Sequence, residues 1–413
     1  MVDDERRNEV EDELRRQAKK SFDTGMTAFR RGDYSEALSA LDDALELCQD
    51  ISDSECGQAD CLHSSGIVLG EMGDLREALG CYEQALVLYR EVPGNECGQA
   101  DCLYNSGVAL GGLGDSRGAS ECYERALILF QGVPDSECAQ AECLFNRGAM
   151  LNELGDWWGA LGCFEQSLTL FQGVPGSERE QADCLYGSGV SLSELGDCWG
   201  ALGYFDRALV LLDKGVVEAD WAEAERTGAR CLQGIGDCLV ELNEAVFPDH
   251  FARALEVFQR PEHVDHTKAD QASCLRSIGN GRSATGDLNG AVEAYQQAQD
   301  LYRQVGQPES AMEINVPLAR VLKRKAVAID SIFERLALLE ESLNLTIEAA
   351  LSLDRARFRL DRLDDRQRWF QAYARSTMDL ALEVAAELGR PHLISDLIAT
   401  WRTVGTLDVP RTG

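Results

Sequence analysis

The sequence predicts an all-α protein built as a solenoid of antiparallel helix pairs. The first observation is a Gly-Asp pair that recurs along much of the chain, with a constant difference of 41 between the numbers of successive copies. The second is the spacing of apolar residues by three and four, which is typical of amphipathic helices. The third is that the alternating pattern of a β-strand is absent. Repetition at a fixed period therefore decides the organisation before chain length does.

The Gly-Asp pairs define the period and the predicted domains. They are Gly32-Asp33, Gly73-Asp74, Gly114-Asp115, Gly155-Asp156, Gly196-Asp197 and, after a longer interval, Gly286-Asp287. That last interval exceeds two full periods, so one unit is irregular. The predicted domains are a charged helix or tail over 1–19, about seven repeats over 20–305 with an insertion near 245–250 in the sixth, a helical segment over 316–405 and a flexible end over 406–413.

Residues 54–91 show how one unit is expected to fold. Leu62, Gly66 and Leu69 mark one face of a first helix, and a similar apolar face runs from Leu75 to Tyr89 in a second helix. Between them, Gly73 is suited to end the first helix and Asp74 to cap the next. The connectors VPGNE, VPDSE and VPGSE contain a proline that ends the second helix. Their Ser or Asn followed by Glu suits a new helix N-terminus.

A small residue in each first helix is followed, at offsets of 12, 16 and 19, by Ala, an aromatic residue and Ala in the second helix. The sets are Gly25/Ala37/Leu41/Ala44, Gly66/Ala78/Tyr82/Ala85, Gly107/Ala119/Tyr123/Ala126, Gly148/Ala160/Phe164/Ser167, Gly189/Ala201/Phe205/Ala208 and Gly279/Ala291/Tyr295/Ala298. This pattern resembles tetratricopeptide repeats, with Leu41 and Ser167 as departures. The resemblance implies a right-handed superhelix with a concave groove. The period of 41 is longer than the common 34 and is similar to that of kinesin light chains and bacterial sensor proteins.

In that family the first helix of each pair lines the groove, and this implies where a partner would bind. The candidate partner-binding residues are Asp60, His63, Glu71, Asp101, Tyr104, Asn105, Glu142, Phe145, Asn146, Glu153, Asp183, Tyr186 and Glu194. Their spacing of three and four puts each set on one helix face. Rings supply apolar contact, amides can pair with a peptide backbone, and carboxylates favour Lys or Arg on the partner. The alternative is a solvated face whose rings hold adjacent units together.

Composition narrows the classes of partner. The formal net charge is −32, which argues against nucleic acid and against anionic membrane surfaces, but permits a basic protein or peptide. The N-terminal stretch MVDDERRNEVEDELRRQAKK has no apolar run, so we expect neither a signal peptide nor an anchor, and a cytoplasmic protein. In that compartment the 15 cysteines are expected to be reduced thiols.

No motif in the chain predicts chemistry. Cysteines recur at the repeat period, as in Cys61, Cys102 and Cys143, but none forms a CxxC pair, so we expect packing residues and no metal site. The glycine-rich stretches lack the GxxxxGK[ST] arrangement of a phosphate loop. We therefore predict a non-enzymatic protein with no catalytic residues and no cofactor.

The segment 316–405 carries a second, weaker resemblance. Its sequence LALEVAAELGRPHLISDLIATWR is similar to the helices that precede the CHAT domain in bacterial repeat–CHAT proteins. The resemblance implies that the repeats bind or regulate a caspase-like effector. Two alternatives stay open: the chain is the repeat portion of a longer CHAT-type cysteine protease whose catalytic domain lies outside it, or it is a purely structural assembly scaffold.

Overall fold

In a computed structural model, the structure describes residues 2–215, 221–244, 247–260, 267–357 and 375–396. Over these ranges the chain is helical and contains no strand, which confirms the all-α prediction. It forms two compact units, Met1–Asp220 and Trp221–Gly413. The predicted flexible end lies outside the described residues, and the domain boundaries drawn from the sequence stay a prediction.

The first unit consists of helices that pair in chain order. They are α1 (Val2–Arg30), α2 (Tyr34–Gln49), α3 (Glu55–Met72), α4 (Leu75–Glu91), α5 (Glu96–Gly112), α6 (Ser116–Phe130), α7 (Glu137–Glu153), α8 (Trp157–Phe171), α9 (Glu178–Glu194) and α10 (Cys198–Gly215). Odd-numbered helices are the first helices of each pair and even-numbered helices the second. The second helices α2, α4, α6 and α8 also pack against the first helix of the next pair, as α4 does against α5. This continuous stacking is that of a helical repeat solenoid.

The second unit contains two further pairs and a C-terminal group. Its described helices are α11 (Trp221–Glu241), α12 (Phe247–Phe258), α13 (Lys268–Thr285), α14 (Leu288–Gln304), α15 (Pro308–Glu313), α16 (Asn315–Val327), α17 (Ile332–Arg357) and α18 (Arg375–Glu387). In the C-terminal group, α16, α17 and α18 share a core that includes Ala319, Leu343 and Val384.

A glycine of the first helix lies against a ring of the second helix in each regular pair. A Cβ atom added to Gly107 would stand 2.7 Å from Cε1 of Tyr123, and one added to Gly148 would stand 2.9 Å from Cε1 of Phe164. Real Cβ atoms do not approach that closely, so the small residue is what allows the helices to cross. The glycine-to-ring offset seen in the sequence is this contact. In the first pair, Leu41 takes the place of the ring and packs on Gly25.

The turns inside the pairs are built by the repeated Gly-Asp dipeptide. Gly73 has a φ of 85°, a left-handed conformation that favours glycine, and it ends α3. The side chain of Asp156 accepts a hydrogen bond of 3.1 Å from the backbone N–H of Gly159, in the first turn of α8. Asp33, Asp115, Asp197 and Asp287 cap their helices in the same way. The predicted capping role of the aspartate is confirmed at these turns. It is wrong for Asp74, whose side chain makes no hydrogen bond to the start of α4.

The serines between pairs act differently from the prediction. Ser136 precedes α7, but its side chain makes no hydrogen bond to the start of that helix. Its hydroxyl instead lies 2.6 Å from the carbonyl oxygen of Phe130 and 2.7 Å from that of Val133, at the end of α6. Gln140 then donates to Ser136 Oγ at 2.9 Å. The serine therefore satisfies carbonyls left open at the preceding helix end, because those groups have no partner within the helix.

The sixth pair consists of α11 and α12. The segment from its glycine to its ring is one residue shorter than the same segment in a regular pair. A Cβ atom on Gly236 would stand 2.5 Å from Cε1 of Phe251, and these two residues are one position closer in sequence than Gly279 and Tyr295. The extra residues of this irregular unit therefore lie outside the glycine-to-ring segment rather than near 245–250. Pro248 of α12 obscures this register in the sequence, because it stands near the position where the regular units have alanine.

Candidate functional site

Half-buried aromatic side chains recur on the first helices of successive pairs. They are His63 on α3, Tyr104 on α5, Phe145 on α7 and Tyr186 on α9. Each packs on the ring of its own second helix: the centroids are 5.8 Å apart for His63 and Tyr82, 5.7 Å for Tyr104 and Tyr123, 5.6 Å for Phe145 and Phe164, and 6.0 Å for Tyr186 and Phe205. We call these four rings the ring ladder. Because one side of each ring is fixed by the core, the other is presented at a defined position.

Amide side chains connect neighbouring rings of the ladder. Nδ2 of Asn105 lies 2.9 Å from Nε2 of His63, and Nδ2 of Asn146 donates to the hydroxyl of Tyr104 at 3.0 Å. The structure thus brings predicted residues of adjacent pairs together. Each contact uses one donor of an amide that has two donors and an acceptor. The asparagines therefore tie successive first helices together and retain capacity for a further hydrogen bond.

One turn before each ring stands a carboxylate, and these acids have different neighbours. Asp60 accepts from the hydroxyl of Tyr89, and Asp183 pairs with Arg179 at 3.0 Å. Asp101 and Glu142 lie 3.8 Å and 3.7 Å from the thiols of Cys97 and Cys138 respectively. Burial raises the pKa of Asp101 and of Glu142 above the ordinary value. Asp101 is half-buried, whereas Glu142 is an exposed residue.

The remaining predicted acids lie at the other end of the first helices. Glu71, Glu153 and Glu194 are exposed. Glu153 accepts a hydrogen bond of 2.5 Å from the hydroxyl of Ser116 in the preceding pair. The basic side chain of Arg147 forms a salt bridge of 3.2 Å with Glu124. Carboxylates thus lie on both sides of the ring ladder along the helix axes.

The row of rings extends one pair further toward the N-terminus than the candidate residues predicted from the sequence. Phe22 on α1 is the equivalent of His63, one period earlier, and it packs against the buried core of the first pair. Lys19 is the equivalent of Asp60 and is exposed. The signal that could have found them is the repeat period itself, carried back from α3 onto α1. The residue one turn before the ring is therefore basic in the first pair and acidic in the pairs that carry the ring ladder.

Burial lowers the pKa of His63, although the nearby carboxylates of Asp101 and Asp60 raise it in part. We therefore expect lower pH to destabilise the fold through this residue. In the unfolded chain His63 takes up a proton near pH 6.5, whereas in the folded protein it does so only at lower pH. The free energy of unfolding therefore decreases as pH falls below about 6.5.

Thermal melting of the wild type and of His63→Phe between about pH 7.5 and 5.5 measures this effect, since the window brackets the ordinary histidine value. Phenylalanine already occupies the equivalent position 145. The drop in melting temperature on acidification should be smaller in the variant. Equal drops in both proteins would contradict the assignment to His63.

Most of the cysteines in the described ranges are buried. Burial raises the pKa of Cys102, of Cys143 and of Cys184 to about 12, so these thiols stay protonated at neutral pH and are poor nucleophiles. Cys81 packs against the core beside Tyr82. Within the described ranges, no group of three or more His, Cys, Asp or Glu side chains is placed to hold a metal ion. The packing role predicted for the recurrent cysteines agrees with these positions.

The chain resembles known proteins at the level of its repeats. A family model described as tetratricopeptide repeat matches residues 22–91, 58–132 and 135–214. No curated protein matches the chain in sequence. No helix in the described part of the chain combines the length and the apolar character needed to cross a bilayer.

Three solved structures share the fold. The apo form of RapI is 17% identical with a TM-score of 0.57, over 70% of this chain and 99% of its own. The apo form of the quorum sensor NprR from B. thuringiensis is 13% identical with a TM-score of 0.55, over 88% of this chain and 98% of its own. A Rap protein complexed with Competence and Sporulation Factor is 14% identical with a TM-score of 0.52, over 89% of this chain and 99% of its own. At these identities the likeness concerns the fold alone.

Proposed function

Because residues 22–132 and 135–214 of the chain are tetratricopeptide repeats, we propose that it is a non-enzymatic scaffold or sensor that binds a protein or peptide along its ring ladder. The observation that carries the proposal is the ladder itself. Four half-buried rings recur at the repeat period on adjacent first helices, with carboxylates on both sides. A surface with this arrangement offers apolar contact at regular intervals.

The chemistry of the ladder favours a basic, extended partner. Apolar side chains of the partner would pack on Tyr104, Phe145 and Tyr186. The amides of Asn105 and Asn146 have hydrogen-bonding capacity for a peptide backbone. Lys or Arg of the partner would be attracted by the acids of a chain whose net charge is −32.

Proteins of the same fold support a binding role without specifying the partner. One of them is a Rap protein complexed with Competence and Sporulation Factor, and another is a quorum sensor. The finer proposal is that the repeats regulate an effector, with residues 316–405 as the relay. The CHAT-type effector rests on the sequence resemblance alone and stays a prediction.

A peptide display selection on the purified chain tests the proposal. Selected peptides should be rich in Lys or Arg together with aromatic or aliphatic residues. Their affinity should fall by about tenfold or more in the triple variant Tyr104→Ala, Phe145→Ala and Tyr186→Ala, because buried aromatic anchors dominate such interfaces. Peptides that bind this variant and the wild type equally would contradict the proposal.

Two further variants separate binding from folding. The triple variant Val87→Ala, Ile128→Ala and Val210→Ala changes exposed apolar side chains on second helices and should leave affinity unchanged. The variant Glu71→Gln, Glu153→Gln and Glu194→Gln leaves the rings intact. It should lower affinity and reduce its dependence on salt, since rim charges act through screened attraction.

A further inference from the structure

The same buried cluster recurs between successive helix pairs, with one substitution in its first copy. The copies are Ala18, Ala44, Cys48 and Cys61; then Ala59, Ala85, Tyr89 and Cys102; then Ala100, Ala126, Phe130 and Cys143. Corresponding members are one repeat period apart. At these four shared positions the copies differ in kind once, where a thiol in the first cluster replaces an aromatic ring in the next two. The first cluster also contains Ile51 and the third Leu103. The first cluster therefore lacks the ring that fills the others.

A cavity of about 340 Å³ lies at this first cluster. Its walls include Ala18, Phe22, Cys48, Ile51 and Cys61. The cavity is open to solvent on one side, and its volume falls in the range of small-molecule sites. The cavity is therefore large enough for an aromatic ring.

The second cluster shows how a ring fits at this place. The ring of Tyr89 lies so close to Gly98 that an added Cβ atom would stand 2.9 Å from Cε1 and from Cζ. The equivalent of Gly98 in the first cluster is Gly57, which faces Cys48 Sγ instead. The glycine that leaves room for a ring in the second cluster is therefore also present in the first cluster, where the ring is absent.

Two cations line the same cavity. Arg15 and Lys19 are on the face of α1 that borders it, and Arg15 donates to the backbone carbonyl of Ser52 at 3.1 Å. The carboxylates of Asp53 and Asp60 also line it. Asp60 accepts from the hydroxyl of Tyr89. Lys19 stands where the next three pairs have Asp60, Asp101 and Glu142, so this rim is the cationic end of an otherwise acidic row.

We propose that this cavity binds a small aromatic carboxylate. The ring of the ligand occupies the space that Tyr89 and Phe130 fill in the next two clusters, and its carboxylate pairs with Lys19 and Arg15. The site borders the ring ladder, because Asp60 lines the cavity and is also one of the acids beside the ladder, but ligand binding here does not depend on partner binding there. Its ligand is recognised by a planar apolar ring and one negative charge.

Titration of the full chain with phenylacetate, followed by calorimetry and ligand NMR, tests the site. Cys48→Phe supplies the missing ring and should weaken binding by about tenfold or more, since it fills the cavity. The same variant should melt at or above the wild-type temperature, because a ring is accommodated at the equivalent positions. Cys48→Ala keeps the cavity open and should bind phenylacetate as the wild type does.

Charge is tested separately. Lys19→Glu should weaken phenylacetate binding several-fold and leave binding of the neutral phenylacetamide unchanged.

N-acetyl-phenylalanine distinguishes the sources of the ligand: tighter binding than phenylacetate identifies a chain terminus, and equal or weaker binding identifies a free small molecule. Undiminished binding of phenylacetate to Cys48→Phe, or no binding to the wild type, would overturn the proposal.

Discussion

Replacing Phe164 by alanine is expected to lower the free energy of unfolding by about 3–5 kcal/mol, the usual cost of deleting a buried aromatic side chain. Phe164 is 2% exposed. Its ring lies against Gly148 of its own pair and Gly187 of the next pair, and its centroid is 5.6 Å from that of Phe145. Gly148 and Gly187 have no side chains that could fill the cavity left by the deleted ring.

Urea denaturation followed by circular dichroism measures this effect. Gln166→Ala on the same helix is the matched control, since Gln166 is exposed, and its change should stay within about 0.5 kcal/mol. A loss of under about 1 kcal/mol for Phe164→Ala would mean that the glycine-to-ring contact is not a main source of stability, given the usual cost of such deletions.

The second large effect is expected at the glycine side of the same contact. In Gly66→Ala the new Cβ atom would stand 2.5 Å from Cε1 of Tyr82, a ring that is 4% exposed. The ring or the helix has to shift, and overpacking of this kind typically costs about 1–3 kcal/mol.

Gly80→Ala is the control for helix propensity. Gly80 lies in α4, and a Cβ atom there would meet nothing within 4 Å. This change should therefore be neutral or stabilise by up to about 1 kcal/mol, because alanine favours helix over glycine. The two variants differ from the wild type by one methyl group each, so parallel melts isolate the crowding at Gly66. Similar melting temperatures for both would contradict it.

The contacts within one helix pair could be predicted from the sequence because they depend on local offsets. The separation between Gly107 and Tyr123 follows from the lengths of two helices and one turn, and it is the same in the other regular pairs. The turn at Gly73 likewise follows from the conformational freedom of glycine. The glycine-to-ring offset and the glycine turn recur at the repeat period, so they can be recognised by aligning the repeats with one another.

Contacts between pairs were less accessible to sequence reasoning. The link from Asn105 to His63 joins two different pairs and depends on how those neighbouring pairs stack. Ser136 has the residue type of a helix cap, but the carbonyls at the end of α6 compete for its hydroxyl. The cavity at Cys48 could be found by comparing each repeat with the next, since it arises from one residue that departs from an aromatic position.

The position of Phe164 between two glycines has a consequence for how the first unit loses its structure. In a linear array, stability is approximately a sum of the intrinsic stability of each repeat and the coupling between nearest neighbours. One ring here contributes to both, because it packs on Gly148 within its pair and on Gly187 of the following pair. Opening the fourth pair therefore removes support from the fifth at the same moment, so the array is expected to unfold in cooperative blocks rather than to fray one pair at a time.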